Sequence, residues 1–105
     1  MPGPLNCIGG QFGVTVASST ALTLPTGKGI YPSHILINVN SQAIRWLSDG
    51  TAPTSSKGIR IAAGGQLSFM DPNFDYRSVI LALRIIEEAS AATLDVLYFS
   101  EWAGI

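Results

Sequence analysis

The chain has 105 residues, 47% hydrophobic and only 12% charged, with a formal net charge of −1. That size suits one domain; a nucleic-acid binder would carry a basic surplus, and no apolar run approaches the roughly 20 residues of a membrane helix. Soluble domains carry about 25% charged residues, so charges this sparse cannot coat the surface, and neighbouring subunits are expected to cover part of it.

The N-terminus, "MPGPLNCIGG", is rich in Gly and Pro. Residues 1–11 therefore read as an arm without regular structure, whose Pro2, Pro4, Leu5 and Ile8 are candidate contacts to a partner. The arm lacks a basic segment followed by an apolar one, so no secretory leader is expected, and the chain is placed in a cytoplasm until assembly. Cys7 is the single cysteine, which leaves no intrachain disulfide framework and no cysteine cluster for zinc.

Residues 12–100 read as one β domain, followed by a tail at 101–105. "FGVTVASSTALTL" offers two alternating runs, and "HILINVN" sets Ile35, Ile37 and Val39 against Leu36, Asn38 and Asn40. "AIRWL" follows after a short polar break, which predicts a tight hairpin. "GIRIA" and "QLSFM" flank a turn at Gly64 and Gly65. "VILALRII" and "ATLDVLYF" predict a last hairpin. A helix over 79–90 is the competing reading, but the β-branched residues favour strand. A register that sets Arg84 opposite Asp95 gives that hairpin a favourable charge pair. Both of its faces are apolar, so Ile80, Ile86, Leu97 and Phe99, with Trp102 beyond the strand, are the expected oligomer interface. The fold expected is all-β: a compact antiparallel β-sandwich or jelly-roll-like barrel of about seven or eight short strands.

No chemistry-bearing constellation emerges, and no catalytic, cofactor or metal residues are assigned. "GTAPTSSKG" lacks the second glycine before Lys57, has Gly58 where Ser or Thr belongs, and runs into a strand instead of a helix, so it is not a phosphate loop. It reads as a strand connection whose Asp49, Thr51, Pro53 and Lys57 could reach a partner. His34 is the only histidine and has no ligand-spaced companion. With Cys7 it could form a nucleophile–base pair only in space.

The run "RWLSDGTAPTSSKGIRIAAGG", containing Arg45, Trp46, Asp49, Gly50, Pro53, Thr54 and Gly58, followed by "LALRIIEEASAATLDVLYF" with Arg84, Leu94, Val96 and Tyr98, resembles small all-β virion structural proteins of tailed bacteriophages. The resemblance covers roughly residues 18–99. It implies a non-enzymatic structural protein, foremost a capsid decoration (cement) protein that trimerises and binds the major capsid protein or other virion proteins. It implies no cofactor, nucleic acid or membrane, and a place in the virion after assembly in the host cytoplasm. A neck or tail accessory protein and a small carbohydrate-binding module are the alternatives.

Overall fold

The computed structural model describes residues 5–25 and 32–101. Eight strands, β1 (Leu5–Thr15), β2 (Thr20–Ala21), β3 (His34–Val39), β4 (Ile44–Leu47), β5 (Ile59–Ile61), β6 (Gln66–Phe69), β7 (Arg84–Glu87) and β8 (Thr93–Glu101), are joined by one short helix, α1 (Arg77–Ala82). They form two four-stranded antiparallel sheets, ordered β1-β8-β3-β6 (sheet A) and β2-β7-β4-β5 (sheet B). The all-β sandwich expected from the sequence is therefore the fold.

The pairing is nested: β1 with β8, β2 with β7, β3 with β6, and β4 with β5. Folding such a ribbon over itself brings β8 beside β3 and β7 beside β4. This is the jelly-roll arrangement. Side-chain alternation drives it. Along β8, Leu94, Val96 and Tyr98 are buried while Thr93, Asp95, Leu97 and Phe99 are half-exposed; along β3, Ile35, Ile37 and Val39 are fully buried. Each such side chain contributes about 1.5–3 kcal/mol by leaving water. Phe69 of sheet A meets Trp46 of sheet B edge-on at 5.7 Å and stacks on Tyr76 at 5.2 Å, pinning the two layers at one end.

Three expectations are corrected. The arm is strand from Leu5 onward, because pairing with β8 satisfies its backbone; register shifts between Cys7 and Gly9 and between Gln11 and Val14 absorb the glycine-rich sequence. The break after β3 does not make a hairpin: β3 lies in sheet A and β4 in sheet B. Four residues, 40–43, separate the two strands, enough chain to cross the ~10 Å between packed sheets even with a bend. The turn expected at Gly64 and Gly65 is present, with Gly65 N–H bonded to Ala62 O at 2.9 Å, and it too crosses between sheets, from β5 to β6. The corners keep their backbone paired through Gly64 N–H to Val39 O (2.8 Å), Glu87 N–H to Val16 O (2.8 Å) and Glu88 N–H to Ala43 O (3.0 Å).

The last hairpin is the third correction. Its first half begins as α1, where the Asp75 carboxylate accepts the Arg77 N–H at 3.0 Å and Ile80 N–H bonds Tyr76 O at 2.9 Å. Ile80 and Leu83, one helical turn apart, both enter the core. Leu83 is already extended, so β7 follows at once. β7 and β8 belong to different sheets, and Arg84 faces Leu47 and Ala21 instead of Asp95. Burying Ile80 and Ile85 on opposite sides of one bend outweighed a charge pair worth at most ~1 kcal/mol.

Candidate functional site

The two outward sheet faces differ in chemistry. On sheet A, Cys7, Phe99 and His34 form one cross-strand row, and Gly10, Leu97, Leu36 and Ser68 the next. Gly10 has no side chain for a physical reason: a Cβ there would lie 3.0 Å from Leu97 Cδ2 and 3.4 Å from Phe12 Cζ. Phe12 therefore lies beside Leu97, and it is 73% exposed. Phe12, Leu97, Phe99 and Leu36 make an apolar centre, bordered by Asn38, Gln66, Ser68 and Thr93. Asp95 is the one charged side chain described on this face. It is held within the fold, accepting from Gly13 N–H at 3.0 Å and Asn40 Nδ2 at 3.3 Å.

Sheet B is arginine-rich outside. Ile86, Arg45 and Arg60 form one row, and Ala21, Arg84 and Leu47 the next. Arg45 directly opposite Arg60 is an unfavourable pairing, which Glu88 relieves. Its carboxylate accepts from Arg45 Nε at 3.0 Å and from Arg60 Nε at 3.0 Å through both oxygens. The hydrogen bond from Arg60, against a smaller desolvation, holds the Glu88 carboxyl below its ordinary value. Arg84 is exposed and has no ion-pair or hydrogen-bond partner among the described residues.

Among the described residues the loop 48–58 is the one hairpin connection between consecutive strands, joining β4 and β5. It folds on itself. Asp49 Oδ1 accepts from Thr51 N–H at 3.0 Å and Thr51 Oγ1 at 2.6 Å, and the Thr51 hydroxyl is the main cause that lowers the Asp49 carboxyl. Thr54 and Lys57 exchange backbone hydrogen bonds of 2.9 and 3.2 Å. Gly58, at φ +131°, would place a Cβ 3.1 Å from Trp46 O, so only glycine fits; its carbonyl accepts from Arg45 Nη1 at 3.0 Å. The spaced Arg, Asp, Gly, Pro and Gly of this run are thus the parts of a self-bonded turn. Asp49, Thr51 and Lys57 are exposed, whereas Pro53 is buried against the loop and is corrected from a partner contact to a packing residue.

The expected oligomer interface is divided. Leu97 and Phe99 lie outside sheet A, Ile86 lies outside sheet B, and Ile80, 2% exposed, belongs to the chain's own core. Ile8 is half-buried against that core. Pro2, Pro4, Trp102 and the Leu5 side chain lie outside what is described. Phe12, Leu36 and Arg60 were not singled out in the sequence. Only cross-strand neighbours show them to share a face with Leu97 or Arg45.

Cys7 and His34 do not meet. Phe99 stands between them in their row, two strand spacings or ~10 Å apart. His34 is buried, with Nε2 donating to Asp71 O at 2.8 Å, so Nδ1 takes the Ser33 hydroxyl at 2.8 Å. A carbonyl can only accept, which assigns the proton to Nε2. Tyr76 meets its ring edge-on at 5.4 Å. A groove of about 240 Å3 lies between Gly9–Gln11 and Thr23–Pro25, and the Tyr98 hydroxyl at its wall is committed to Gln11 Oε1 at 2.7 Å. Burial pushes that phenol up. Among the described residues no group of His, Cys, Asp and Glu could hold a metal, and no helix is long and apolar enough to cross a membrane.

Scans against protein families, curated proteins and solved structures returned no match.

Proposed function

We propose that the chain is a non-enzymatic structural protein of a tailed-bacteriophage virion, a decoration protein that self-associates and binds shell proteins. The observation that carries this reading is the outer face of sheet A. It has an apolar centre in which Phe12 is exposed and Leu36, Leu97 and Phe99 are half-exposed, with one described charge. Interface cores are depleted of charge and enriched in aromatics in this way. Strands of 11, 9, 6 and 4 residues, at ~3.3 Å per residue and ~4.8 Å spacing, give roughly 480 Å2, or about 950 Å2 over two copies, the size of a weak contact that needs neighbouring surface to become stable. Jelly rolls build capsid proteins and lectins alike, so the fold supports the reading without selecting it.

The decoration reading makes the oligomer a trimer. A three-fold ring needs this face to meet a different surface of the next copy, whereas a dimer would pair it with itself. Light scattering at micromolar concentration tests the face: a mass of a few times 11.1 kDa for the wild type and a monomer for Phe12→Ser/Leu97→Ser. A wild-type monomer removes self-association from the proposal. Immunogold labelling of the virion tests the location. Label in many copies over the shell supports decoration, label at the neck or tail moves the protein there, and unlabelled particles overturn the reading.

A further inference from the structure

We infer that the outer face of sheet B docks a carboxylate-bearing, partly apolar surface of a different protein. Three arginines stand here against one carboxylate, in a chain whose net charge is −1. The cations are concentrated, and only one of them is spent on none of its neighbours. Arg45 is fixed between Glu88 and the Gly58 carbonyl, and Arg60 is fixed by Glu88, so two guanidinium planes are oriented before any partner arrives. Arg84 remains open for a partner's carboxylate, which its planar fork matches in bidentate geometry.

The apolar residues decide the class of partner. Leu47 lies opposite Arg84 and Ile86 opposite Arg45, so these two arginines each adjoin a half-buried aliphatic side chain. A nucleic-acid backbone would leave Leu47 and Ile86 against phosphates. A protein surface that alternates carboxylates with apolar or aromatic side chains satisfies both kinds of group. The face cannot serve as a second self-association surface at low cost, because among the described side chains sheet A offers only Asp95, and three guanidiniums would be desolvated against it. If the chain is a virion component, this is the surface that meets the shell, but the docking chemistry stands without that reading.

The test uses the full chain with three probes: poly(Glu,Tyr), poly-Glu and a DNA duplex of matched charge. Binding is followed by fluorescence anisotropy, and the arginine side-chain Nε–H signals are followed by NMR. The result expected is binding of poly(Glu,Tyr) ahead of poly-Glu and of DNA, weakening about tenfold or more between low salt and about 0.15 M, where charge attraction is screened beyond ~8 Å. Arg84→Ser should weaken it by roughly tenfold, and Leu47→Ser/Ile86→Ser should abolish the preference for the aromatic copolymer. Thermal melts confirm that these exposed-face variants fold. Preference for DNA, no binding at low salt, or binding untouched by Arg84→Ser with no shift in the arginine signals each overturns the inference. None of these outcomes changes the oligomer mass set by sheet A, so the two proposals fail separately.

Discussion

Asp95 distinguishes the jelly roll from a terminal hairpin by a measurement of stability. In the hairpin its partner is Arg84. In the observed fold its Oδ1 accepts Gly13 N–H at 3.0 Å, inside an irregularity of β1, and Asn40 Nδ2 at 3.3 Å. The first bond is well formed and charge-assisted but open to solvent, so about 1 kcal/mol is reasonable; the longer one contributes about half of that. Asp95→Ala should therefore cost about 1.5 kcal/mol in urea unfolding, and the melting temperature should fall by roughly 4–8 °C per kcal/mol. A double-mutant cycle gives the decisive number. Asn40 and Asp95 should couple by about 0.5–1 kcal/mol. Arg84 and Asp95, outside opposite sheets of a sandwich whose layers alone are ~10 Å apart, should be additive within ~0.3 kcal/mol. A coupling near 1 kcal/mol between Arg84 and Asp95, with none to Asn40, would refute the topology.

Ile37→Ala empties a fully buried site between β6 and β8 and should cost about 2–5 kcal/mol in chemical denaturation, a large part of the total for a domain of this size. Glu88 has a carboxyl held below its ordinary value of 4.5, so its contribution is present above that pH and is lost on acidification below it. Glu88→Gln should flatten this acid-side loss in melts run from neutral pH downward, and should lower the neutral melting temperature because Arg45 then faces Arg60 unrelieved. Burial pushes the Tyr98 phenol above its ordinary value of 10.0, so its contribution is present below that pH and declines as pH rises past it. Tyr98→Phe should remove that alkaline decline, at about 1 kcal/mol for the lost bond to Gln11.

The strands were legible where one face is dry. Ile35, Ile37 and Val39 alternate with Leu36 and Asn38, and Leu94, Val96 and Tyr98 with Asp95 and Leu97; period-2 burial follows from the pleat alone. Strand pairing was not legible. A polar break of three residues serves a hairpin or a crossing between sheets equally well, and nothing local to Asn40 distinguishes the two. The helix at Arg77–Ala82 carried one readable signal, Asp75 two residues ahead of Arg77, which the run of isoleucines obscured. Leu97 and Phe99 were found as outward apolar residues because both faces of their strand are apolar. Their companions Phe12 and Leu36 come from β1 and β3, and Ile86 proved to lie outside the other sheet. A surface assembled from distant strands has no signature in any one of them.

Nesting the strands has a consequence in time. β1 leaves the ribosome before the other described strands, and its partner β8 is the last of them; Leu5 pairs with Glu101. Sheet A cannot close while β8 is still being made, whereas the β4–β5 hairpin with its self-bonded loop can form at once. Long-range pairing of this kind folds slowly, and through that interval the uncharged edge strand Leu5–Thr15 stays open to strands of other nascent copies. Synthesis rate and local copy number, more than final stability, would then set the yield of folded protein.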